Sequence, residues 1–215
     1  MSDKTIIVTR PEYDDTTTYL SRWSEPILNE AGERGMKCID LNRNKANKKD
    51  FESYVRKNPP NFIVLNGHGN QSTVAGQDDN LLIEAGTNED ILSDAIVFAR
   101  ACDSAAILGE RAVEKGAASY IGYTKGFVFP FDKNRVSTPQ KDEIARPCLE
   151  VSNSIPLSLL KGQNVGLSLS RSENALKKWI EYLRTHYTIE SPAILFSLLW
   201  NAACQKALGN ISVKI

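Results

Sequence analysis

Five short runs of apolar, largely β-branched residues punctuate the first 125 positions: "KTIIVT" (4–9), "MKCIDL" (36–41), "NFIVLN" (61–66), "AIVFARA" (95–101) and "ASYIGY" (118–123). Between them the apolar positions take helical spacing over roughly 15–34, 48–57 and 104–115, with an irregular stretch carrying "GQDDN" and "GTNED". Strands that are apolar on both faces and separated by helices form a parallel sheet covered on both sides. The pattern therefore predicts a three-layer α/β sandwich with a mostly parallel central sheet.

After Tyr123 the pattern changes. The stretch "TKGFVFPFDKNRVSTPQKD" reads as a loop or an edge strand, because Pro130 and Pro139 limit regular pairing. "GFVFPF" is a candidate exposed edge to which a peptide could add as an extra strand. Residues 133–153 fit no pattern, and a lid, a self-cleavage site or an oligomer contact are the readings open for them. Helices then dominate: Leu176, Trp179, Ile180 and Leu183 fall on one face, with Ser172 as the expected cap, and a second amphipathic helix is expected from Ser191 to Leu208. With 215 residues, 41% hydrophobic and 24% charged, a single domain over 1–215 is expected, its C-terminal helices (about 155–210) packed on the sheet.

Lys plus Arg and Asp plus Glu number 26 each. The balance argues against nucleic acid or an anionic membrane as partner, and "NRNKANKK" (42–49) reads as a solvated surface. "MSDKTIIVTRPEYDD" has too short an apolar run for a signal peptide, and the apolar stretch 192–203 is too short to span a bilayer, so a cytoplasmic protein is expected. Cysteines 38, 102, 148 and 204 form no C-x-x-C pair and only two histidines could join them, so no metal, no cofactor and no disulfide framework are expected. Cys38 and Cys204 read as core packing.

Two of the apolar runs end on reactive residues. "FIVLNGHGNQ" (62–71) runs into His68 between two glycines, and "AIVFARACDSA" (95–105) into Cys102. In an open parallel sheet, reactive groups collect at the carboxyl ends of strands. Thirty-four positions separate the two, enough for a crossover that makes their strands neighbours about 4.8 Å apart. An imidazole there can take a thiol proton and return it to a leaving amine. The imidazole and a helix dipole beginning just after Cys102 are expected to lower the thiol's pKa. Gly69, free of side-chain bulk, and Cys102 could present their N–H groups to a substrate carbonyl.

This order of blocks resembles the caspase-like (clan CD) cysteine peptidases, closest to the gingipain, separase and CHAT branch. The resemblance covers residues 60–132 through "VLNGHGN", "VFARACDSA" and "GAASYIGYTKGFVFPFD". It implies the caspase-like fold, Cys102 as nucleophile, His68 as general acid/base, Gly69 and Cys102 as oxyanion donors, and no required acidic third member. It implies protein or peptide substrates, a possible activating partner, and a role in bacterial, including antiviral, defence. Asp132 matches an aspartate of the first specificity pocket, where it would select Arg or Lys. Asp103, also suited to capping the following helix, and Arg10, which would select acidic residues, are its rivals. Arg135, Lys141 and Arg146 become candidate self-processing points. The competing readings are a catalytically silent caspase-fold adaptor and a thiol amidohydrolase acting on small molecules.

Overall fold

A computed structural model describes residues 4–215. Its centre is a six-stranded sheet in the order β2-β1-β3-β6-β7-β8. The strands β1 (Thr5–Arg10), β2 (Lys37–Asn42), β3 (Phe62–Asn66), β6 (Ile96–Arg100) and β7 (Ser119–Tyr123) run parallel, while β8 (Gln205–Gly209) pairs antiparallel with β7. This is the three-layer α/β architecture with a mostly parallel central sheet that the sequence pattern predicts.

Strand alternation sorts the core. Ile7, Ile63, Leu65 and Val97 face one layer, where Phe51 of α3 (Lys48–Lys57) and Leu108 of α4 (Leu108–Glu114) cover them. Ile6, Val8, Val64 and Phe98 face the other, against Ile27 of α2 (Glu25–Glu33) and Ile155 and Leu159 of α5 (Arg146–Leu160). Burying such a side chain is worth about 1.5–3 kcal/mol, and every residue of β1, β3, β6 and β7 is buried. The central strands are thereby fixed on both faces, and only their ends are free to carry chemistry.

Several elements depart from the sequence expectation. The helix expected over 15–34 is two, α1 (Asp15–Arg22) and α2, because the chain turns at Trp23 and Ser24 and restarts with Pro26 in the first turn. The helix expected from 104 begins at Leu108: the Ile107 and Leu108 N–H groups are spent on the Gln71 carbonyl. The irregular stretch holds a hairpin, β4 (Thr73–Ala75) and β5 (Leu81–Glu84). The long helix α6 (Val165–Thr185) is capped by Asn164, not Ser172, whose hydroxyl instead donates to the Val151 carbonyl at 3.1 Å. The last helix, α7 (Ser191–Cys204), stops early and the chain enters β8. β8 takes the sheet edge beside β7, so "GFVFPF" supplies no strand and no edge for a peptide. Cys38 is exposed on the edge strand β2 rather than packed in the core, whereas Cys204 is buried.

Candidate active site

The register of β3 on β6 sets Asn66 opposite Arg100. Each chain leaves its strand there, and two residues further on stand His68 and Cys102. The base beneath them is a buried polar hub. Arg100 is fully buried, donating to Asn66 Oδ1 (2.8 Å), Asn153 Oδ1 (2.8 Å) and Ser24 Oγ (2.6 Å). Asn66 in turn donates to the Thr9 carbonyl at 2.6 Å. Burial lowers the Arg100 pKa to about 10, so the guanidinium keeps its charge at neutral pH. These bonds tie the ends of β1, β3 and β6 to the α1–α2 junction and to α5.

Glycines bring the two loops together. Gly67 has φ +148, and a Cβ on it would lie 2.0 Å from the Ala75 carbonyl oxygen. On Gly69 a Cβ would lie 2.8 Å from Thr73 O, 3.0 Å from Ala101 Cβ and 3.2 Å from Cys102 O. The hairpin strand β4 clamps the histidine loop, with Ala75 N–H donating to His68 O at 2.9 Å and Asn70 N–H to Thr73 O at 3.1 Å. Among the described residues, neither the Gly69 nor the Cys102 N–H has a hydrogen-bond acceptor.

A third residue meets the histidine. Asp14 is the N-cap of α1, just beyond β1: one carboxylate oxygen accepts from Thr17 N–H (2.7 Å) and Thr17 Oγ1 (2.8 Å). The other oxygen lies 2.6 Å from His68 Nε2. Burial pushes the Asp14 carboxyl up, but the bonds from Thr17 and His68 outweigh it and hold the pKa below the ordinary 3.8. Tyr13 sets its ring edge-on to the imidazole, centroids 6.1 Å apart, and its hydroxyl donates to Asp79. The sequence reasoning missed Asp14. Its signal was present: an aspartate three residues before a threonine, at a helix start directly after a strand of the same sheet.

The sulfur of Cys102 is half-buried beneath the loop after β7. Burial raises its pKa above the usual thiol value, the Asp103 carboxylate adds to this, and an N–H bond from Phe127 opposes both. The expected helix dipole is absent because α4 starts six residues on. The thiol is therefore harder to ionise than expected, not easier. A Cβ on Gly126 would sit 3.7 Å from the sulfur, so this loop passes directly beside it. From α7, Trp200 Nε1 donates to Gly126 O (2.8 Å) and the Asn201 side chain holds both the N–H and the carbonyl of Val128 (2.9 and 2.6 Å).

The other expected site residues are distributed differently. Asp103 lies next to Cys102 at φ +57; it caps no helix, and its buried Oδ1 has no partner among the described residues. Asp132 caps the turn at Asn134 and lies on the segment anchored by Asp142. Arg10 is not at the site surface: it is buried, paired through Nε and Nη2 with Asp40 at 2.9 and 3.0 Å. Arg146 belongs to α5 and pairs with Glu143, while Arg135 and Lys141 are exposed in short 3-10 turns. Among the described residues no three His, Cys, Asp or Glu side chains are placed to hold a metal ion, and no helix is long and apolar enough to cross a membrane.

No protein-family model matches the sequence, and no curated protein matches it. Among solved structures the chain is similar to the crystal structure of the Arg specific cysteine proteinase gingipain R (RGPB), with a TM-score of 0.63 and 11% sequence identity. The match covers 99% of this chain and 47% of that one, so the chain spans about half the length of that proteinase. The fold that carries His68 and Cys102 is thus shared with about half of that proteinase.

Proposed function

We propose that the chain is a one-domain cysteine endopeptidase in which Cys102, His68 and Asp14 act in sequence. The observation that carries the reading is the 2.6 Å contact of Asp14 with His68 Nε2. It directs the Nε2–H to the carboxylate and leaves Nδ1 as the nitrogen free to move protons. With the thiol pKa raised, the resting sulfur carries its proton, and Nδ1 takes it as sulfur attacks the peptide carbonyl. The Gly69 and Cys102 N–H groups receive the oxyanion. Collapse of the tetrahedral adduct breaks the C–N bond, and Nδ1 returns the proton to the leaving amine. Water, deprotonated by the same nitrogen, then hydrolyses the thioester to the free acid and restores the thiol.

The substrates are proteins or peptides, cleaved after Arg or Lys. What supports a basic preference is Asp103, whose buried carboxylate oxygen lacks a partner beside the nucleophile; a guanidinium or ammonium would satisfy it. Asp132 is the second candidate reader.

Incubation of the wild type and Cys102→Ala with a randomised peptide library tests the reading. Cys102-dependent hydrolysis with basic residues before the cut is expected. Folded protein that cleaves nothing and is not labelled at Cys102 by a peptidyl electrophile would overturn it.

A further inference from the structure

Helix α7 is apolar on two sides. Its inner side chains Ile194 and Leu198 are buried at 4% and 1% exposure, while Phe196, Leu199 and Trp200 stand 63%, 54% and 37% exposed. With Ala203, also exposed, these form an i, i+3, i+4, i+7 stripe on a helix without one charged residue. A helix in water normally puts polar residues on that side. Phe196 stacks on Trp200, centroids 5.9 Å apart at 24°.

The stripe reaches the loop beside the sulfur through Trp200. Trp200's indole N–H is spent on Gly126 O, which fixes the ring, and Gly126 lies against Cys102. One residue thus separates the indole from the nucleophile. Gly126 is also the residue whose missing side chain leaves that space open.

Resting on the peptidase reading, we infer that Trp200, with Phe196 and Leu199, is a substrate subsite that selects an aromatic or branched aliphatic side chain close to the scissile bond. Two features set its chemistry. The surface offers area without charge, so it reads apolar bulk. The ring is already held in place, so little side-chain freedom is lost on binding. The charged residue of the substrate, read by Asp103, and the apolar residue, read by Trp200, occupy different positions of one peptide.

A library randomised on both sides of the cut, profiled with the wild type, Trp200→Ala, Phe196→Ser and Leu199→Ser, tests this. In the wild type one position favours aromatic and branched aliphatic residues. Trp200→Ala lowers kcat/KM for these relative to Ser at that position by at least about tenfold, and leaves the preference at the other positions in place. The two serine variants, at residues without a hydrogen bond to the 124–128 loop, lower the same ratio by a smaller factor even if the Trp200 variant fails to fold. Cys102-dependent hydrolysis with one unchanged profile in all four proteins overturns the subsite and spares the peptidase. Wild-type protein without Cys102-dependent hydrolysis overturns both. Self-association that Trp200→Ala abolishes while the profile stays fixed assigns the stripe to a second copy and also overturns the subsite.

Discussion

Asp14 and His68, 54 positions apart in the chain, meet through Oδ2 and Nε2 at 2.6 Å. The same carboxylate closes the first turn of α1 through its other oxygen. One side chain thus fixes a helix start and an imidazole together, and the two duties can be separated by mutation.

Asp14→Asn separates them. Asparagine caps a helix as well as aspartate does, so its Oδ1 keeps the bond from Thr17 and its NH2 must face the histidine. That forces the imidazole proton onto Nδ1, the nitrogen that the proposed mechanism uses as base. The expected outcome is a fall in kcat of at least about tenfold with little change in KM, and a melting temperature close to that of the wild type.

Acid acts on the same residue. A carboxyl whose folded pKa lies below its ordinary value contributes stability above that value and loses it as pH falls through the folded one. The contribution of Asp14 is therefore complete above the ordinary carboxyl range and fades as pH falls through the lower folded value. In urea titrations, the gap between wild type and Asp14→Ala narrows on going from pH 7 to pH 3; a constant gap would contradict the charge-dependent part of the pairing.

Thiol labelling should follow burial. With iodoacetamide at pH 8, exposed Cys38 reacts first and half-buried Cys102 more slowly; burial raises both thiols, so access sets the order. Cys148, pushed up to about 12, and buried Cys204 stay unlabelled in the folded protein. A peptidyl electrophile reverses the order and marks Cys102 first, read by mass spectrometry of the digested protein.

The glycines divide by position. Gly67→Ala drives a methyl into the Ala75 carbonyl at a positive φ, and a loss of at least about 2 kcal/mol is expected. Gly32→Ala, on α2 with nothing within 4 Å, should gain about 0.4–1 kcal/mol. Chemical denaturation of both variants checks the contrast.

Arg100→Met removes the donor to two buried asparagines and a buried serine. The orphaned acceptors make a loss of about 3 kcal/mol the expected result, again read by denaturation.

The five parallel strands were legible because each is a run of residues buried on both faces, as in "FIVLN" and "IVFAR". The positions of His68 and Cys102 followed, since a parallel sheet aligns its strand ends. β8 was not legible: "QKALG" lacks β-branched residues and is only half-buried, and it becomes a strand because β7 offers it a ladder. The late start of α4 was hidden for a similar reason, the N–H groups of Ile107 and Leu108 being taken by Gln71, 36 and 37 positions away. Asp14 lay in view as a cap, but its second oxygen acquires a function only when β1 and β3 stand side by side. The burial that raises the thiol pKa, and the Phe127 N–H that opposes it, come from tertiary packing, and no local pattern foretells where a loop comes to rest.

The antiparallel β8 has a consequence for synthesis. A ribosome delivers Asp14, His68 and Cys102 well before it makes residues 191–209, and only those later residues close the β7 edge and moor the 124–128 loop through Trp200 and Asn201. A nascent chain would therefore hold Asp14, His68 and Cys102 before the residues that close the β7 edge and moor the loop beside the sulfur exist, so the surroundings of Cys102 are completed only once α7 and β8 have been made.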